Sequence, residues 1–236
     1  LTMLAGALRL TMKRQHMTPN ETMTDSPCSI TEHPGMGITL PDGTRLSARV
    51  WLPNNALEVP VPAILEFLPY RKRDGTAYRD HINHPPMAAQ GYACLRLDLR
   101  GRGDSEGLFD DEYSAQEMQD ARDTINWIAE QPWCSGAVGM MGIFWGGFNS
   151  LHAAGNRIDA LKAVITLCST TDRYADDIHF KGGCILGENI GWAATAMSWF
   201  SPRRTRPSSA RNGAKCDGAT GEHSVSGARL AGPSAA

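Results

Sequence analysis

The sequence predicts an α/β fold with a mostly parallel central sheet, flanking helices and an antiparallel pair of strands at its N-terminal side. Three observations predict it. Short apolar runs bounded by turn residues alternate with segments of helical spacing from about residue 60 onward. The run Ala63–Leu68 is near-continuously apolar, as a central parallel strand is, and Leu161–Leu167 reads as a further strand. Leu46–Leu52 instead alternates, which suits a strand with one wet face.

The totals bound the rest. A chain of 236 residues can build one α/β domain with a real core. Hydrophobic content of 42% and a formal net charge of -2 fit a water-soluble globular protein, and they argue against nucleic acid or an anionic membrane as partner. No apolar run reaches transmembrane length, and a cytoplasmic location is expected. The six cysteines are scattered without a Cys-x-x-Cys pair, and Cys94 and Cys168 lie in apolar strand-like runs, so both are expected as buried thiols.

In chain order, residues 1–30 are polar and aperiodic and are expected to be disordered, with Met17 and Met23 as plausible translation starts. Gly37–Leu40 and Leu46–Leu52 form a strand pair around the turn Pro41-Asp42-Gly43-Thr44. After the strand Ala63–Leu68 comes a charged loop, Pro69 to Gly75, and then a short helix opened by Pro85-Pro86 and closed by Gly91. Tyr92–Leu97 is the next strand. The glycine-rich segment Asp98–Gly107 lacks a dinucleotide-binding spacing and reads as a structural turn with a buried Asp–Arg bond. Glu112–Gln131 has helical spacing and ends at Pro132. Val138–Met141 is a strand, Gly147–Ala154 a helix and Leu161–Leu167 a strand with an open edge, which makes low solubility the expectation. From Ser201 to Ala236 large apolar residues all but vanish and disorder is expected.

The chemistry centres on Gly142-Ile143-Phe144-Trp145-Gly146-Gly147, a strand, a glycine-bounded bend and a helix start. This is the layout of Gly-x-Ser-x-Gly, in which a sharp turn exposes a nucleophile, but Phe144 stands where the serine belongs and has no nucleophilic atom. The backbone N–H of Trp145 would face an oxyanion at the helix start, and the hydroxyl of Tyr70, just past a central strand, could do the same or belong to an ordinary half-buried tyrosine. His81 and His84 lack a third ligand and are expected on a surface loop. Asp172, Asp176, Asp177 and His179 are expected on a solvated segment, with Asp172 a weak candidate acid. Cys168 and Ser169 sit off the bend.

Tyr70, the Asp98–Gly107 loop, Glu117, Asp120 and Trp127, Gln131-Pro132-Trp133 and Gly142-x-x-x-Gly146-Gly147 together resemble the CocE/NonD hydrolases, relatives of cocaine esterase and X-Pro dipeptidyl-peptidases, over roughly residues 33–200. The resemblance implies an α/β-hydrolase domain, here incomplete over 31–200, with the start of a cap at Gly182–Phe200. It implies hydrolysis of a small-molecule ester, amide or peptide-like ligand through a Ser–Asp–His triad, with no cofactor and no metal. By position, Tyr70 and Trp145 would form the oxyanion hole and Phe144 occupy the place of the lost nucleophile, a change that one base in a serine codon produces. In this sequence the residues after Phe200 that could supply acid and base, Asp217 and His223, lie in the tail. A back-translation of Arg203–Cys216 read one base earlier has ordinary globular composition, so a frame shift just after Phe200 is expected. An inactive hydrolase copy or a non-catalytic ligand-binding module is therefore the functional expectation.

Overall fold

The structure, a computed structural model, describes residues 28–200. The expectations for 1–27 and for the tail from 201 onward, disorder, frame shift, Asp217 and His223 included, lie outside the described residues.

The elements are β1 (Ile30–Thr39), β2 (Arg45–Pro53), β3 (Val61–Leu68), α1 (Ala77–Ala89), β4 (Ala93–Asp98), α2 (Ala115–Ala129), β5 (Cys134–Ile143), α3 (Trp145–Gly155), β6 (Leu161–Leu167), the two-residue strands β7 (Phe180–Lys181) and β8 (Cys184–Ile185), and α4 (Glu188–Phe200). β1 to β6 form one sheet in the order β1-β2-β4-β3-β5-β6. β1 and β2 run antiparallel, β2 joins β4 antiparallel, and β4, β3, β5 and β6 are mutually parallel. No helix among the described residues is long and apolar enough to cross a membrane.

Alternation along each strand divides the core between two faces. Leu46, Ala48, Val50, Leu65, Phe67, Leu95 and Leu97 meet α2 through Ala121, Ile125 and Ile128 and α3 through Ala153. The opposite face of the same strands carries Trp51, Ile64 and Cys94, covered by Met87 and Ala88 of α1. At about 25 cal/mol per Å² of apolar area removed from water, this burial is the main stabilising term.

Several elements differ from the sequence expectation. β1 starts at Ile30, not Gly37, and passes Pro34 and Gly35 by a register shift between His33 and Met36. Its polar residues are held by side chains of β2: Glu32 accepts from Arg49 Nε at 2.8 Å and from Trp51 Nε1 at 3.0 Å. The helix expected to open at Pro85-Pro86 starts eight residues earlier by position, at Ala77, and carries both prolines inside it. The carbonyls of His81 and Ile82, four residues back, lose their helical donors, but these residues are exposed and water can serve them. In the loop after β4, Asp98 is buried as expected, but its partner is Lys72: it accepts from Lys72 N at 2.7 Å and Lys72 Nζ at 3.1 Å, and from Asp104 N at 3.0 Å. The nearby Arg100 turns away and pairs with Asp120 and Asp42, each at 2.7 Å. Gly103, at φ 52°, lets the loop close, since a Cβ there would lie 2.1 Å from Asp98 Oδ2.

Cys94 is buried, whereas Cys168 is exposed, because it follows β6 at the margin of the sheet at φ 51°. β6 packs Val164 toward the core but turns Ile165 and Leu167, 63% and 57% exposed, to water. An uncovered apolar strand at a sheet margin templates association. Ile165→Lys is expected to raise the soluble fraction of the expressed chain, measured in the supernatant after centrifugation, with an unchanged cooperative melt. An unchanged or lower soluble fraction would show that this edge does not drive association.

Candidate active site

β5 ends at Ile143 and α3 begins at Trp145, so the reversal is made by Phe144 alone, at φ 51° and ψ -117°. Such a conformation strains any L-residue with a side chain by about 1–3 kcal/mol. Two backbone bonds hold it: Phe144 N donates to Leu167 O at 3.0 Å, and Phe148 N donates to Phe144 O at 2.9 Å. The bend is this tight because strand and helix touch. A Cβ on Gly142 would lie 2.3 Å from the carbonyl carbon of Gly146, and one on Gly147 would lie 2.8 Å from Ser169 Oγ. Glycine is required at Gly142, where the obstacle is backbone, whereas at Gly147 the nearest atom is a serine hydroxyl and the nearest backbone atom, Leu167 O, is 3.1 Å away.

The Phe144 ring is 45% exposed and looks into two cavities. One, of about 100 Å³, is lined by Tyr70, Tyr113, Trp145, Phe148, Ile178, His179 and Trp192 as well as Phe144. The other, of about 280 Å³, shares Tyr70, Phe144 and Trp192 and adds Thr76, Arg79, Ile143, Thr195 and Ala196. The structure therefore brings Phe144, Tyr70 and Trp145 to one place. Burial and the nearby Glu112 push the Tyr70 hydroxyl up to about 12, so it remains a protonated donor at neutral pH. Trp145 is buried, and its backbone N–H lies at the positive end of α3.

Two polar assemblies fix these residues. In the first, Glu117 near the start of α2 accepts from Trp145 Nε1 and from Asn149 Nδ2, both at 2.7 Å, and so clamps α2 to α3. Its other oxygen accepts from Tyr113 N, the residue before the cap, at 2.8 Å, while the N-cap Ser114 Oγ accepts from Glu117 N at 3.1 Å, a capping box shifted by one residue on its return bond. Burial raises the Glu117 carboxyl pKa, and these bonds oppose the rise. The Ser114-x-x-Glu117 spacing is the sequence signal for this cap. In the second assembly Arg96, fully buried, donates to the carbonyl of Tyr70 at 2.5 Å and to Thr76 Oγ1 at 3.1 Å, pinning the loop that carries Tyr70.

His84 also belongs to this second assembly, contrary to the surface-loop expectation. It is buried in α1, stacks on Trp51 with ring centroids 4.7 Å apart, and has Glu66 and Asp80 beside it. The reason is non-local: Glu66 comes from β3 and Arg96 from β4, so a polar pocket forms under α1 that the local sequence does not announce. The three side chains could in principle ligate a metal, but Arg79 lies 2.5 Å from Glu66 and Arg96 lies 3.2 Å from Asp80, and two guanidiniums already neutralise the carboxylates. His81 is exposed on the outer turn.

The segment after β6 is less solvated than expected. Asp177 is buried and accepts from Arg173 Nε at 2.7 Å, because Arg173 reaches inward to lie over the rings of Tyr113 and Phe148 at 4.1 and 4.4 Å. Asp172 is exposed and caps its own turn by accepting from Tyr174 N and Ala175 N, and Asp176 is exposed. His179 reaches the smaller cavity but both ring nitrogens are engaged, Nε2 with Glu112 Oε2 at 3.1 Å and Nδ1 with Asn189 Oδ1. Cys168 and Ser169 lie beyond β6, off the bend.

Residues 42–230 match the model of the X-Pro dipeptidyl-peptidase (S15) family. The chain belongs to this family. It is 35% identical over 163 residues to a cocaine esterase of Rhodococcus sp. (strain MB1 Bresler), an alignment that covers 66% of this chain and 27% of the esterase. The chain thus spans about a quarter of the length of the curated relatives it matches. Its fold is that of the CocE/NonD hydrolases. A CocE/NonD family hydrolase from Staphylococcus aureus superposes with a TM-score of 0.60 at 19% identity, covering 73% of this chain and 36% of that one. An α-amino acid ester hydrolase superposes with a TM-score of 0.59 at 23% identity, covering 77% and 33%.

Within this S15-family fold the bend makes opposite demands at neighbouring positions. Gly142→Ala is expected to destabilise the chain by about 1–3 kcal/mol in urea unfolding, through the overlap with Gly146. Phe144→Gly, which relieves strain and removes an exposed ring, should stabilise it by about 1 kcal/mol. A destabilised Phe144→Gly variant would mean that the ring's contacts outweigh the backbone strain.

Proposed function

We propose that this domain keeps the architecture of a CocE/NonD-type hydrolase site but forms no acyl-enzyme, and that the space around Phe144 binds an acyl or peptide-like ligand without turning it over. The observation that carries the reading is the side chain at the strained residue between β5 and α3. The family motif places a serine there, and a phenyl ring offers no atom for attack on a carbonyl. In this reading the Tyr70 hydroxyl and the Trp145 N–H are the former oxyanion donors, and no cofactor or metal takes part.

The surroundings support the loss of chemistry as well as of the nucleophile. A serine at this position would need a base within hydrogen-bond reach. His179 lines the same cavity, but its two nitrogens are occupied by Glu112 and Asn189. His84 is buried under α1 against Trp51. The binding reading is favoured by the larger cavity, whose wall is largely apolar and runs up to the Phe144 ring.

p-Nitrophenyl acetate incubated with the purified chain tests the proposal. Nitrophenolate release at the buffer rate is expected from the wild type and also from Phe144→Ser. Turnover by the wild type would overturn the loss of chemistry. Turnover by Phe144→Ser would show that a competent base stands beside the bend.

A further inference from the structure

Trp192 of α4 stands in the wall of both cavities, so the position of this helix decides whether they are covered. Little apolar burial fastens it. Between Glu188 and Met197 only Ala196 is buried, Asn189 and Trp192 are half-buried, and the rest is exposed. A polar clasp holds the helix instead. Trp192 Nε1 donates to Glu112 Oε1 at 3.1 Å, His179 Nε2 lies 3.1 Å from Glu112 Oε2, and His179 Nδ1 is bonded to Asn189 Oδ1. We propose that α4 is a lid over the candidate site, that one extra proton shared by His179 and Glu112 keeps it shut, and that it opens as pH rises. This rests on reading the cavities as a ligand site and names what controls entry to it.

The proton follows from the directions of the bonds. Asn189 Nδ2 donates to the carbonyl oxygens of His179 and Leu186, both at 3.0 Å, and these oxygens only accept. Oδ1 is therefore the end of Asn189 that faces His179, and His179 Nδ1 must carry hydrogen. Nε2 meanwhile faces a carboxylate oxygen. A neutral imidazole has a single N–H, so it would set a lone pair against an oxygen on one side or the other. One further proton satisfies the contact, either on Nε2 of an imidazolium or on Glu112 Oε2 donating to Nε2. Both arrangements hold the same number of protons. The His179 and Glu112 side chains are 16% and 29% exposed, so the proton exchanges with solvent.

Once released, the pair gives up this proton above the range in which a solvated imidazole titrates, near about 6.5. Closing above that range takes one proton from solvent, so the ratio of closed to open lid falls by up to about tenfold per pH unit. Below it both states carry the proton and the ratio is constant. The other ionisable groups around the clasp come from several elements. The Tyr70 and Tyr113 hydroxyls are pushed up by burial and by Glu112 and stay protonated. Arg173 pairs with Asp177, Lys181 with Asp176, and Glu188 is exposed on α4. Burial raises Glu117 of α2, and burial and Arg173 hold His152 of α3 below the usual histidine range. Glu66, pushed up to about 7 by burial, titrates under α1 and is left intact in the variants below.

Hydrogen–deuterium exchange of the full chain near pH 6 and near pH 8.5, read by mass spectrometry and corrected for the intrinsic pH dependence of exchange, tests the proposal. Protection of residues 188–197 is expected to fall at least about tenfold at the higher pH while that of α2 stays constant. In Glu112→Gln the amide oxygen can accept from Trp192 and the amide N–H can donate to Nε2 of a neutral imidazole. That variant should therefore keep α4 protected at both pH values, whereas His179→Gln should leave it weakly protected at both. Each variant is first matched to the wild type by cooperative melting near pH 6. Equal protection of wild-type α4 at both pH values, or a fall that persists in Glu112→Gln, would overturn the clasp. No ligand enters the measurement, so either result would leave the pocket reading standing, and a pocket that binds nothing would leave the clasp standing.

Discussion

The contact between Gly142 and Gly146 sets the geometry of everything near the site. Strand and helix backbones approach so closely that a single methyl group at Gly142 would overlap the Gly146 carbonyl carbon at 2.3 Å. Such an approach is possible only if the chain reverses within one residue. That residue is Phe144, and its φ of 51° follows from the contact rather than from its own preference. The strain of about 1–3 kcal/mol is offset by hydrogen bonds from Phe144 N and to Phe144 O and by the burial of Trp145 and Phe148 just beyond. A bend held from outside in this way tolerates the exchange of its central side chain.

Two buried carboxylates extend this control outward. Glu117 fixes the start of α2 and the indole of Trp145 at once, and so joins the cap of one helix to the first turn of the next. Glu66 balances Arg96 and Arg79, and Arg96 in turn holds the carbonyl of Tyr70. Each would be costly to leave unpaired in the interior. The polar framework thus brings Tyr70 together with Phe144 and Trp145 from two separate stretches of chain.

The sheet and the bend were readable because they rest on local signals. Apolar runs mark β3 and β6, and glycine spacing marks the close approach of β5 and α3. What escaped were features made by partners distant in sequence. β1 begins at Ile30 because Arg49 and Trp51 of β2 hold Glu32, and nothing in the polar stretch around Pro34 foretells that. α1 runs through two prolines because its outer turn faces water. His84 reads as a surface histidine until Glu66 and Arg96 arrive from neighbouring strands, and Asp98 finds Lys72 from a different loop rather than an arginine of its own. Cys168 looks like a strand thiol but lies just past a margin of the sheet. Of the candidate site, the position of Phe144 was legible, while the engagement of His179 by Glu112 and Asn189 was not.

The central claim is that a family-type bend persists here without a residue able to carry an acyl group. Intact-mass spectrometry of the wild-type chain after exposure to a fluorophosphonate tests it most directly. The account predicts an unmodified mass, because Phe144 offers no oxygen to the reagent. A single stoichiometric adduct mapped by peptide sequencing to the cavity around Phe144 would contradict it, since a second nucleophile would then serve the site.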